Sequence, residues 1–254
     1  AITDEASVIR AASFATKTGQ GPFDAALAAA RSRRADVPGV AVSVQPVNAP
    51  SGVSGGYTAG AQSQLVLFMF LTSLTGATEL VLTRQLGISR RMFSTPTGAS
   101  TIIAGESLGR IAFALLQGVF IIGATALLFG VGWGDPVSLG AVVLVYALVA
   151  GGASMIVGAV AATPSQAGAL GPALGMVLAL LGGAMVPLEI FPPTMQAVAR
   201  LTPHAWAMDA LAVASGPGAS VTDILPQLAV LLGFAALLFG IAIVRFRRAL
   251  VIGA

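Results

Sequence analysis

The chain has 254 residues, of which 9% are charged and 56% apolar, and its mean hydropathy is +0.90. Soluble domains carry about 25% charged residues, so a water-facing surface of ordinary size is excluded. Aromatic residues are only 6%, which makes the apolar excess aliphatic and small, and the absence of cysteine excludes disulfides, thiolate metal sites and cysteine nucleophiles.

Charge is unevenly distributed. Nine of the 23 charged residues lie in residues 1–36, and uncharged stretches run over Val37–Thr78, Ile111–Gly134, Pro136–Leu188 and Ile224–Val244. A bilayer core is crossed by roughly 17 to 25 residues of helix. The stretch from Pro136 to Leu188 accommodates two spans, with turn residues Thr163, Pro164, Ser165 and Gln166 at its middle. Five spans are predicted, at 62–82, 108–131, 138–162, 168–187 and 224–244. Helices are selected over an open sheet because every backbone polar group must be paired inside hydrocarbon. The fold class is therefore an all-α polytopic membrane protein.

The polar region before the first span predicts a partial α/β extracytoplasmic segment over residues 1–60. Residues 4–17 and 22–34 have helical composition, and Gly19–Gly21 separates them. Val37 to Val44, with alternating valines, reads as a short strand, and residues 45–60 have the Pro, Gly and Ser content of a linker. Arg31, Arg33 and Arg34 read either as an anion patch or as a solvated helix end. The transmembrane domain then occupies residues 61–254.

Short, arginine-rich flanks set orientation. Arg84, Arg90, Arg91 and Arg110 flank the connection between spans one and two, and Arg245, Arg247 and Arg248 follow span five. Five alternating spans place both groups on one side, predicted to be cytoplasmic. The other connections carry Asp135, Glu189, Asp209 and Asp223 against Arg200 alone and are predicted to be external. An odd number of spans with an external start, in a chain opening on Ala1 without a start methionine or signal peptide, predicts a further span ahead of residue 1.

Thr83 to Pro96 is the first segment with functional content. Leu86, Arg90 and Phe93 fall at i, i+4 and i+7, with Ile88, Met92 and Thr95 beside them, which predicts one short interfacial helix. It reads either as an arginine anchor of the membrane or as a lever pushed by a partner. Beyond it, Gly105 with Gly109, Gly171 with Gly175, and Ser154 with Gly158 have the four-residue spacing that lets helices approach closely. Glu106 and Arg110 are one turn apart and predicted to pair.

Pro187, Pro192 and Pro193 predict a break or re-entrant turn at the end of span four, followed by a short helix over 194–201 and the segment Thr202-Pro203-His204-Ala205-Trp206. Trp206 suits a headgroup-level belt. His204, the only histidine, reads as a surface residue at the membrane edge. A catalytic reading with Glu189 or Asp209 lacks both the repeated ligand spacing of a metalloprotease and a nucleophile–base–acid arrangement.

Nucleotide chemistry is absent. A phosphate-binding loop ends in Gly-Lys-Ser or Gly-Lys-Thr, whereas the only lysine, Lys17, follows Thr16. No nucleic-acid partner is expected, because the net charge of +3 comes mainly from arginines flanking the spans.

The order of these elements resembles the membrane subunit of type 2 ATP-binding-cassette (ABC) exporters, in the branch with a large extracytoplasmic domain. Gly56-Tyr57 followed by Leu65 to Leu71 is similar to the start of that family's second span. Arg84 to Gly87, Arg90-Arg91-Met92, Pro96 and Gly105 resemble its coupling segment. Leu188 to Pro192 and Leu201 to Asp209 resemble the external break and helix before its last span. Two departures stand out: Thr83 where the family commonly has an acidic residue, and Gly105-Glu106 where it often has Gly-Lys.

The resemblance implies six spans in a full member, the five here being its second to sixth. It implies that Arg84, Gly87, Arg90, Arg91 and Pro96 couple to a separate ABC ATPase subunit, and that Pro187, Glu189, Pro192, Pro203 and Trp206 form an external gate or cap. The other partners it implies are a second permease copy and membrane lipid. No cofactor is expected in this chain, ATP and magnesium residing on the ATPase. Cargo would be a hydrophobic or amphipathic drug, antibiotic or lipid-like molecule. The alternatives are a membrane-embedded enzyme using His204 with Glu189 or Asp209, and an ATP-independent channel or carrier.

Overall fold

The computed structural model describes residues 22–25, 27, 28 and 54–252. The predicted strand over 37–44, the helix over 4–17 and the arginines at 31, 33 and 34 lie outside the described residues. Of the predicted helix over 22–34, residues 23–25, 27 and 28 are described, and they are helical.

From Ser54 onward the chain is helical: α1 (Ser54–Thr75), α2 (Ala77–Gln85), α3 (Ile88–Phe93), α4 (Ala99–Phe129), α5 (Pro136–Val160), α6 (Pro164–Leu181), α7 (Pro193–Ala199), α8 (Pro203–Ala214) and α9 (Leu225–Ile252). Short 3-10 turns at Leu188–Ile190 and Val221–Ile224 precede α7 and α9. Five segments are long and apolar enough to cross a membrane: Tyr57–Gln85, Ser100–Phe129, Pro136–Val160, Pro164–Leu181 and Val221–Arg245. They coincide with the five predicted spans, and no strand occurs among the described residues.

Two boundaries differ from expectation. Helix begins at Ser54, inside the stretch with linker composition; the early turns of α1 are anchored by Tyr57, whose ring stacks on Phe129 of α4 at 6.2 Å. The first span is also two helices, broken at Gly76 between α1 and α2. A break at membrane depth frees backbone carbonyls that lipid cannot satisfy. Neighbouring helices supply donors on both sides of it: Ser154 Oγ of α5 donates to the Ser73 carbonyl, and Arg110 Nη2 of α4 donates to the Gly76 carbonyl at 3.1 Å.

Helix α5 is the centre of the bundle, with Tyr146, Ala147, Val149, Ala150 and Met155 all enclosed, whereas Phe113, Leu116 and Phe120 of α4 and Leu237 of α9 are exposed. Thr163 and Asp135 cap the N-termini of α6 and α5; Asp135 Oδ2 accepts from the Ser138 hydroxyl and amide at 2.6 and 2.7 Å. These bonds, the hydroxyl first, hold the Asp135 carboxyl below its usual range. Just before it, Gly134 has φ +74° and its Cα lies so close to Ala214 that an added Cβ would be 2.1 Å from that carbonyl oxygen, so only glycine fits.

Small residues work as the spacing suggests in two of the three pairs. Gly171 and Gly175 admit Leu74 and Leu71 of α1, and Gly158 admits Leu80 of α2. Gly105 and Gly109 do not pack: an added Cβ at either meets nothing within 4 Å. Both are exposed.

His204 is a correction. It is fully buried rather than a surface residue, with its ring 4.6 Å from Phe70 and 5.8 Å from Tyr146, edge-on to both. Gly182 at the end of α6 lies against it, because an added Cβ would be 2.3 Å from His204 Cβ. Neither ring nitrogen has a hydrogen-bond partner. Burial lowers its pKa from the ordinary 6.5 to about 3. A polar sequence neighbourhood with Thr202 and Trp206 concealed that the first turn of α8 points into the core.

Two outcomes follow from this packing. Gly182→Ala should destabilise the protein by about 1–3 kcal/mol through overpacking, whereas Gly105→Ala should stabilise it by about 0.5–1 kcal/mol; thermal unfolding in detergent measures both. Since the folded chain keeps His204 neutral while the unfolded chain takes up a proton below about pH 6.5, the associated stability is complete above that pH and declines as pH falls toward 3. His204→Leu should therefore flatten the drop in unfolding temperature between about pH 7 and pH 5, and parallel slopes in the two proteins would refute the buried imidazole.

Candidate coupling segment and external cap

The segment from Thr83 to Pro96 is not one helix. Helix α2 ends at Gln85, Gly87 adopts φ +69°, and α3 restarts at Ile88 for only six residues. The left-handed glycine is what turns the chain, with the Gly87 amide donating to the Arg84 carbonyl at 3.0 Å. The helical spacing that starts at Leu86 does not continue across the turn at Gly87, because residues 88–93 form a separate helix.

The five expected coupling residues are distributed over four places, Gly87 being the turn itself. Arg84 reaches sideways to the end of α5, where Nη2 donates to the Ala161 carbonyl at 2.7 Å and Nη1 to the Ala159 carbonyl at 3.5 Å. Gln85 adds a bond to the Ala162 carbonyl at 3.1 Å. A cation at a helix C-terminus meets both unpaired carbonyls and the negative end of the dipole, so Arg84 fixes the base of α3 to α5. Arg91 is exposed on α3, and Pro96 is exposed in the bend that follows. Arg90 is in α3 by its backbone, and its side chain lies outside the described residues. Leu86, Ile88 and Met92 are exposed apolar side chains around them.

At the two positions that depart from the family pattern, the Thr83 hydroxyl donates to the Leu80 carbonyl at 3.0 Å, and Glu106 pairs with Arg110 at 2.7 Å. The predicted Glu106–Arg110 pair is thus present. It also has a task that spacing did not reveal, since the same guanidinium closes the helix break at Gly76.

At the other end of α1, the expected cap is built from a 3-10 turn and the starts of two helices. Pro187 caps the 3-10 turn Leu188–Ile190, Pro192 caps α7, and Thr202 caps α8 with Pro203 in its first turn. Pro203 is buried, whereas Glu189 and Pro192 are exposed. Trp206 is half-buried; its indole N–H donates to the Arg200 carbonyl at 2.8 Å, and the Arg200 guanidinium sits 5.3 Å over its ring. Arg200 also pairs with Asp209. A cavity of about 770 Å³ opens here, lined by Pro187 and Glu189 together with Gln62, Arg200, Met208 and Asp209.

Gln62 was not among the expected residues. It is 5% exposed and bonds the far end of α8, donating to the Leu211 carbonyl at 3.2 Å and the Ser215 hydroxyl at 2.7 Å. An amide inside an apolar helix was the one available signal for it.

No cluster of three or more His, Asp or Glu side chains suited to a metal occurs among the described residues. Asp209 is committed to Arg200, and His204 is buried between aromatic rings with no partner, so no acid–base pair forms around the histidine.

Residues 37–214 match the ABC-2 type transporter family. The chain is also 31% identical over 174 residues to the linearmycin resistance permease protein LnrN of Bacillus subtilis (strain 168), an alignment that covers 68% of this chain and 45% of that protein. The chain therefore spans a little under half the length of this curated relative. Five apolar helices, a short helix between the first two spans and the matched stretch agree, and the chain belongs to the ABC-2 type transporter family.

Proposed function

We propose that this chain is the membrane permease subunit of an ATP-driven exporter, carrying a hydrophobic or amphipathic cargo out of the cell with energy from a separate ABC ATPase. The observation that carries this reading is α3: a helix of six residues with exposed Arg91, Ile88 and Met92 side chains. An exposed arginine beside apolar side chains is a surface suited to a protein partner at the membrane edge. In this reading the end of the bundle carrying α3 is cytoplasmic, as the arginines at 84, 90, 91 and 245 favour.

Movement of the ATPase would displace α3. Because Arg84 and Gln85 bond the last carbonyls of α5, the displacement reaches the central helix of the bundle as well as α2. Two permeases pair around a central path, each with one ATPase subunit, and the elements from Pro187 to Trp206 cap the path outside. ATP and magnesium act on the partner. Covalent chemistry is not part of this chain's role. A drug-type cargo is supported by the name of the relative, a resistance permease. In the same reading, residues 1–60 are the end of an extracytoplasmic domain.

Charge reversal at Arg90 and Arg91 should lower partner-dependent ATP turnover and transport by tenfold or more, on the scale of about 1.4 kcal/mol per tenfold, while the same changes at Arg31 and Arg33 should leave both near normal. Equal losses at the two sites would remove the lever assignment. Cysteines placed at Glu189 and Pro192 should crosslink within the protein assembly in at least one transport state; labelling by bulk lipid reagents in every state would remove the cap.

A further inference from the structure

A cavity of about 490 Å³ lies between α2 and α4, at the end of the bundle that carries α3. Its wall is mostly apolar, formed by Ile102, Gly105, Gly109 and Phe113 of α4 with Met92 of α3. The volume is within the range of small-molecule sites. Glycine weakens a helix relative to alanine, and at Gly171 and Gly175 that weakness is offset by the close approach of α1. At Gly105 and Gly109 no part of the described chain approaches. The two glycines keep a groove open.

The charge in this groove is specific. Arg110 is 6% exposed, with Nη1 bonded to Glu106 and Nη2 to the Gly76 carbonyl, so this pair is neutral overall. Glu79 of α2 also lines the cavity; it is exposed and has no ion pair to a described side chain. A lone carboxylate beside an apolar wall at a membrane edge is complementary to a cation and repels a phosphate headgroup.

We propose that this cleft binds a cationic amphiphile, with its apolar body over Gly105 and Gly109 toward Phe113 and its positive group against Glu79. The proposal rests on the exporter reading in one respect, that the cleft then opens on the cytoplasmic leaflet, where cargo is collected. Binding itself requires no ATPase.

The test is fluorescence anisotropy of rhodamine 6G, a lipophilic cation, with the protein in nanodiscs of phosphatidylcholine, beside a neutral BODIPY dye of similar size. Glu79→Gln should weaken rhodamine 6G binding by about tenfold, the scale of one charge pair near a surface, and leave the neutral dye unchanged. Gly109→Leu adds its side chain at a position where an added Cβ meets nothing within 4 Å; binding of both dyes should fall while the unfolding temperature stays near that of the parent. Unchanged rhodamine 6G binding in both variants, or disulfide capture of a second copy of this chain by Gly105→Cys in place of the dye, would overturn the assignment. A failure of the exporter reading registers instead in the ATP turnover of the Arg90 and Arg91 variants, which this assay does not involve.

Discussion

A carbonyl left open inside hydrocarbon has no water to turn to, and this chain closes its open carbonyls with side chains from neighbouring helices. Ser154 and Arg110 serve the break at Gly76, Arg84 and Gln85 serve the end of α5, Gln62 serves the end of α8, and Trp206 serves the turn at Arg200. Each bond joins a place where a helix stops to an element that continues. These points of interruption are therefore also the points at which elements of the bundle are tied together.

That arrangement explains why so few polar residues suffice. With 9% charged residues, the buried Arg110 and the half-buried Arg84 each serve more than one group. Arg110 neutralises Glu106 and holds two spans together at the break. Arg84 is the clearest instance: the resemblance casts it as a contact for a partner, whereas its guanidinium is turned inward onto α5. A partner that moved α3 would thus act on the core through a hydrogen-bonded joint, which transmits displacement better than apolar contacts able to slide.

The two cavities differ in the same terms. The one beneath the expected cap is walled by Gln62, Glu189 and the Arg200–Asp209 pair, and the one beside α3 is walled by glycines, Phe113 and Glu79. Opposite ends of α1 and α2 thus present a mixed polar chamber and an apolar groove with one charge.

The sequence by itself determined the five spans, the pairing of Glu106 with Arg110, the proline-broken connection after span four and the family, because length, hydropathy and residue spacing act locally along the chain. It did not determine the break at Gly76, the turn at Gly87 that divides the coupling segment, or the direction of Arg84. Those depend on where α5 ends and which carbonyls need a donor. His204 shows the limit most plainly: its neighbours in sequence suit an interface, but α8 turns its first residues toward Phe70 and Tyr146, so a titratable ring is enclosed among aromatic ones. The glycine pairs make the same point, since spacing identifies a face that can be approached and only the packed bundle decides whether anything approaches it.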